Sequence, residues 1–221
     1  EIARTHPQGA IDLSVGTPVD PTPEFIQQAL RESADSPSYP VTMGTQELRT
    51  AIHHWAVTTL GATGDFAVLP LIGSKEFVAW LPTFLESATV LYPRIAYPTY
   101  LVGALLAQAK PTDVDIDAAA WPKADLAWVN SPANPTGRVH SESELRAAIE
   151  WSRKNKSVVV SDECYLEFGD TKTPTSILRY TDGDNTNVLG VYSLSKRSSM
   201  AGYRAAFVVG DPLLIARILE V

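Results

Sequence analysis

The run Ser157-Val158-Val159-Val160-Ser161-Asp162 is apolar and β-branched at its centre, shows no alternation, and ends on an acid. A strand of this kind is covered on both faces, as in the middle of a sheet flanked by helices. Comparable runs recur at Thr89–Tyr92, Leu126–Val129, Val188–Tyr192 and Ala205–Val209. Helical patterns with their own start signals lie between them. Thr22-Pro23-Glu24 sets a cap residue, a proline and an acid ahead of Phe25, Ile26, Ala29 and Leu30. Thr45 precedes Leu48, Ala51, Ile52 and Trp55 at helical spacing. Ser141 with Glu144 reads as a capping box before Leu145, Ala148 and Ile149. Strands alternating with helices predict an α/β class with a mostly parallel sheet. Ligands of such sheets collect beyond the carboxyl ends of the strands, where the polar clusters of this chain fall.

The 221 residues are 45% apolar and 19% charged, ordinary values for a globular chain. A net charge of -7 argues against nucleic acid or an anionic membrane as partner. Cys164 is the single cysteine, which excludes an internal disulfide framework and fits a reducing cytoplasm. The apolar stretch Phe77–Leu85 is too short for a membrane span and contains Pro82. The first ten residues are mixed and polar, with no secretory signal.

Four clusters carry chemistry. Ser193-Leu194-Ser195-Lys196, followed by Arg204, follows an apolar strand. Lys196 alone reads better as a solvated lysine at a strand end. Beside the hydroxyls of Ser193 and Ser195 and the guanidinium fork of Arg204, it suits covalent attachment to a phosphate-bearing aldehyde. Asp162 is either a turn residue or a carboxylate facing a pyridinium nitrogen. Tyr165, three residues on, and Asn134, in Asn134-Pro135-Thr136-Gly137, offer donors to a ring oxygen. The proline and glycine around Asn134 are also plain turn punctuation. Gly73-Ser74-Lys75 opens an apolar helix and so presents free N–H groups to an anion, although a glycine before a helix is common.

Asn-Pro-x-Gly, Asp-x-x-Tyr and Ser-x-Ser-Lys, with an arginine eight residues after the lysine, resemble the class I/II aminotransferases of pyridoxal-phosphate fold type I. The resemblance covers essentially the whole chain. It implies pyridoxal 5'-phosphate as cofactor, Lys196 as its covalent anchor and proton shuttle, and a seven-stranded, mostly parallel sheet between helices. It implies that Asp162 faces the ring nitrogen, with Tyr165 and Asn134 on the ring oxygen. Gly73, Ser74, Lys75, Ser193, Ser195 and Arg204 would hold the phosphate. Tyr97, in Tyr97-Pro98-Thr99-Tyr100, matches the aromatic that stacks on the ring. Gly16, in Ser14-Val15-Gly16-Thr17-Pro18, matches a residue near the substrate carboxylate, where Asn134 also acts. Tyr39 matches a tyrosine that reaches the phosphate of the neighbouring subunit, so a homodimer is expected. The wording of residues 193–204 is most similar to actinobacterial N-succinyldiaminopimelate aminotransferases.

The expected domains are an N-terminal segment, 1–35, on the substrate side, and a cofactor-binding large domain, 36–221, incomplete at its C-terminus. Family members continue into a small C-terminal domain that supplies an arginine for the substrate α-carboxylate, and no residue here takes that role. The expected reaction moves an amino group between glutamate and a keto acid, with N-succinyl-2-amino-6-ketopimelate as acceptor in lysine biosynthesis. Another class I aminotransferase (aspartate, alanine or aromatic), a pyridoxal-phosphate C–S lyase and a non-catalytic effector-binding module remain the alternatives.

Overall fold

A computed structural model describes Thr5, Pro7, Gly9, residues 16–169 and residues 173–220. Ser14 and Val15, quoted above beside Gly16, lie outside the described residues. Among the described residues one sheet has seven strands: β1 (Ala67–Leu71), β2 (Thr89–Pro93), β3 (Lys110–Val114), β4 (Leu126–Asn130), β5 (Val158–Asp162), β6 (Val188–Ser193) and β7 (Ala206–Gly210). Their spatial order is β1-β7-β6-β5-β4-β2-β3. β7 pairs antiparallel with both β1 and β6, and every other pairing is parallel. Six strands therefore end at one edge of the sheet, and β7 begins there. The residues after β1, β2, β4, β5 and β6 share that edge with the residues just before β7.

Helices cover both faces. On one face α2 (Gln46–Trp55) and α5 (Glu142–Asn155) bury Ile52, Leu145, Ile149 and Trp151 against Val129, Val159, Tyr192 and Phe207. On the other, α3 (Ser74–Phe84), α4 (Thr99–Leu106) and α7 (Pro212–Leu219) bury Phe77, Leu81, Tyr100 and Ile215 against Val90, Trp128, Val160 and Val208. The unalternating runs are thus the strands with a core on each side. β4, β6 and β7 are buried along their whole length.

The two edge strands were not among the expected ones. β1 is apolar but carries Pro70, and β3 is Lys110-Pro111-Thr112-Asp113-Val114, three of its five residues polar. Proline and charge are tolerated at an edge because one row of backbone groups has no partner strand to pair with. The caps expected of Thr45 and Ser141 form: each side chain accepts from the backbone N–H three residues on, and Glu144 completes the capping box. Thr22 differs from expectation. Pro23 occupies the N-cap position of α1 (Glu24–Glu32), and the Thr22 hydroxyl instead donates to the Ser199 carbonyl at 2.7 Å. A long-range bond has displaced the local one. Among the described residues, no helix is long and apolar enough to cross a membrane.

Candidate active site

A cavity of about 510 Å³ lies beyond the shared strand edge, lined by residues from widely separated parts of the chain. Its lining includes Gly16, Ser74, Lys75, Tyr97, Asn134, Asp162, Tyr165, Ser193, Ser195, Lys196 and Arg204, eleven of the candidate residues. Gly73 stands immediately behind it. Tyr39 lies elsewhere and is fully exposed.

One end of the cavity is built for an anion. Gly73 has φ of 103°, a conformation that side chains rarely adopt. A Cβ there would stand 2.2 Å from Arg204 Nη2 and 2.3 Å from Glu76 Oε2, so the guanidinium lies directly on the turn. Arg204, itself in the left-handed region with φ of 55°, pairs with Glu76 at 2.7 Å and donates to the Ala201 carbonyl at 3.1 Å. α3 begins at Ser74 with first-turn N–H groups that have no carbonyl inside the helix to bond. Ser193 caps the four-residue helix α6 (Leu194–Arg197) by accepting from Ser195 N at 3.1 Å. The antiparallel course of β7 brings Arg204 to this end: the strand starts where the others stop.

The other end carries a buried acid. Asp162, the last residue of β5, is 6% exposed. Its carboxyl accepts from Tyr100 Oη at 2.8 Å and from Cys164 N at 3.2 Å. Burial pushes its pKa up, against the lowering effect of these two neutral donors. A carboxylate in this state is complementary to a cation placed in the cavity. Burial likewise holds the Tyr165 hydroxyl up, with Cys164 and Asp162 adding to it, so Tyr165 stays a donor. Asn134 is held by Asn130, whose side chain accepts from Asn134 N at 2.7 Å and donates to the Asp162 carbonyl at 2.8 Å. Lys196 is half-buried on α6, and its amine donates to the carbonyl of Gly16. With the Thr22–Ser199 bond, this contact lays the segment from Gly16 to Thr22 along the lysine-bearing turn.

Phosphate donors, a buried carboxylate and an amine lining one cavity fit pyridoxal phosphate by charge and by donor set. The cavity lies within the ordinary size of a cofactor site.

The residues that position this set drew no assignment from the sequence. Tyr100 follows Tyr97 by one helical turn, and their rings meet edge to face at 5.8 Å. That i,i+3 spacing at a helix start was the available signal. Asn130, Glu76 and Glu163 carry none, because each is defined by a partner far away in the chain.

The fold and this site define an α/β protein of the pyridoxal-phosphate fold type I kind. The chain matches the family "aminotransferase class I and II" over residues 8–221, and it belongs to that family. It is 45% identical over 227 residues to the 4-dedimethylamino-4-oxo-anhydrotetracycline transaminase OxyQ of Streptomyces rimosus, covering 99% of this chain and 63% of that protein. It is 47% identical over 228 residues to a probable aminotransferase of Mycobacterium tuberculosis, covering 100% of this chain and 54% of that one. The solved structure of a probable N-succinyldiaminopimelate aminotransferase from Thermus thermophilus superimposes with a TM-score of 0.87 at 28% identity, covering 95% of this chain and 62% of that chain. The chain therefore spans less than two thirds of the length of these relatives.

Proposed function

We propose that the protein is a pyridoxal-phosphate aminotransferase and that the cavity beyond β4, β5 and β6 is its active site. The observation that carries this reading is the placement of Lys196, Asp162 and Arg204 around one cavity from three different strand ends. When bound, the cofactor supplies an aldehyde for covalent attachment and an electron sink for the pair left when a substrate loses its α-proton.

The chain's own residues do the rest. Lys196 Nζ would hold the cofactor through its aldehyde, and as a free amine it would be the base that takes the proton from the substrate Cα and later gives it back. Asp162, fixed by Tyr100 and Cys164 N, would hold negative charge against the ring nitrogen and keep a proton there. Tyr165 and Asn134 would donate to the ring oxygen, and Tyr97 would orient the ring by stacking. Ser74, Lys75, Ser193, Ser195 and Arg204 would bind the phosphate around the Gly73 turn. Gly16, in the N-terminal segment of residues 1–35 assigned to the substrate side, would border the substrate, and residues 36–221 would form the cofactor-binding domain.

Glutamate is the proposed amino donor, and N-succinyl-2-amino-6-ketopimelate the acceptor, in lysine biosynthesis in the cytoplasm. The wording of residues 193–204 and the likeness to the Thermus structure support that acceptor. A second reading, a ring ketone, is favoured by the 45% identity to the tetracycline transaminase. The test is a half-reaction on the full-length protein loaded with pyridoxal phosphate. Glutamate converts the lysine-bound absorbance to that of the aminated cofactor and yields 2-oxoglutarate without ammonia. Lys196→Ala abolishes the conversion. Ammonia and thiol release from a cysteine thioether would instead identify a C–S lyase, and no conversion with any amino acid would leave a binding module. Each acceptor is then offered to the aminated form.

A further inference from the structure

Glu163 stands between Asp162 and the turn that carries Tyr165, yet its carboxyl faces away from the cavity, into the core shared with α2 and α5. It is 2% exposed. Its Oε2 accepts from Tyr192 Oη at 2.6 Å, and its Oε1 accepts from Ile177 N at 2.8 Å. Ser176 closes the cluster: its hydroxyl lies 2.8 Å from Tyr192 Oη and accepts from Leu178 N at 3.1 Å. One carboxyl thus joins three pieces of chain. The first is the turn after β5, with Tyr165. The second is the short 3-10 helix Ile177–Tyr180. The third is the end of β6, where Tyr192 immediately precedes Ser193 and the Lys196 helix.

The sequence makes room for this cluster. A Cβ on Gly190, two residues before Tyr192 on the same face of β6, would stand 2.5 Å from Tyr192 Oη. The tyrosine ring is further fixed by Phe207, stacked at 5.4 Å, and Trp55, edge-on at 5.4 Å. The hydroxyl that Glu163 receives is therefore held by packing rather than free to turn. An isolated carboxyl is costly to bury, and hydrogen bonds from two directions are the compensation seen here.

We propose that Glu163 is a positioning residue: through Tyr192 and Ile177 it sets the place of the Tyr165 hydroxyl relative to the Lys196 turn. This rests on the aminotransferase reading and on Tyr165 as donor to the ring oxygen.

The experiment uses the full-length holoenzyme and follows the absorbance titration of the lysine-bound cofactor. A donor on the ring oxygen favours its charged form, so Tyr165→Phe moves that titration to higher pH. Tyr192→Phe, which keeps the ring packing, and Glu163→Gln, which keeps the size, each move it in the same direction, by roughly half a pH unit. Combined with Tyr165→Phe, neither adds a further shift, because both act through that hydroxyl. Unchanged titration in Tyr192→Phe, or shifts that add fully to that of Tyr165→Phe, would overturn the proposal while leaving the aminotransferase reading intact. If the wild-type protein forms no lysine-bound absorbance, the parent reading fails and this one with it.

Discussion

Asp162 holds its carboxyl in a dry place with only neutral donors beside it, Tyr100 and Cys164 N. An acid arranged so is poised for a cation to enter, and the ring nitrogen is that cation in the proposed function. Asp162→Asn keeps the shape and removes the charge. The variant is expected to retain pyridoxal phosphate but to lose roughly 100-fold in kcat, about 3 kcal/mol, the scale of one preorganised electrostatic contact in a dry site. Cofactor content by absorbance and single-turnover rates with glutamate measure the two effects separately. A near-normal rate would return Asp162 to the role of a turn residue. Asp162, Asn134 and Lys196 were legible singly because each follows an apolar run, which is a local pattern. Tyr100 was not, because its hydroxyl is defined by an acid sixty-two residues away.

Elements place these residues through their ends. The Gly73 turn is the sharpest case, with φ of 103° and Arg204 packed where a side chain would go. Gly73→Ala strains the turn and displaces the guanidinium, a cost on the order of 1–3 kcal/mol. The expected result is pyridoxal-phosphate affinity lowered at least about tenfold, measured by equilibrium dialysis. Unaltered affinity would show that Arg204 and the turn do not hold the phosphate. The edge strands teach a related point. β1 is an apolar run interrupted by Pro70, and β3, with Pro111 and three polar residues, shows neither alternation nor an apolar run. Their strand state is imposed by β7 and β2, which supply the pairing. Thr22 shows the converse: its sequence context is a good helix cap, and a bond to Ser199 overrides it.

At the scale of the whole molecule, the buried Glu163 ties stability to pH. Burial raises its pKa from 4.5 to about 7, against the opposing bonds from Tyr192 and Ile177 N. Between these values the unfolded chain has released the proton and the folded chain retains it, so stability falls as pH rises from 4.5 to about 7. The loss amounts to about 3 kcal/mol and is complete above the upper value. Burial holds the neighbouring Tyr192 and Cys164 well above their ordinary values, so both stay neutral throughout this window. Urea unfolding of the full-length protein at about pH 5 and about pH 8 measures this slope, and Glu163→Gln is expected to flatten it. An equal slope in the variant would show that Glu163 does not titrate there. Assembly is the second molecular expectation. Tyr39 is fully exposed, in a loop flanked by Pro37 and Pro40. In the proposed homodimer its hydroxyl reaches the phosphate held by Ser74, Ser193 and Arg204 of the other copy. Sedimentation should show a dimer, and Tyr39→Phe should weaken cofactor retention by roughly 1.5–3 kcal/mol at most. A fully active monomer would refute it.

The sequence by itself determined what short windows encode. Apolar runs marked the five inner strands, Thr45 and Ser141 marked helix starts, and the order of asparagine, aspartate, tyrosine, lysine and arginine marked the chemistry. Propensity, capping and side-chain period act over a few residues, so they survive in a linear reading. Only the tertiary structure decided that Arg204 lies on Gly73, that Lys196 meets Gly16, and that Glu163 bridges Ile177 and Tyr192. The first depends on one reversed strand in an otherwise parallel sheet, and the others on strand ends and loops that meet only when the sheet is assembled. Burial summed over the whole chain sets that arrangement, and no window of neighbouring residues contains it.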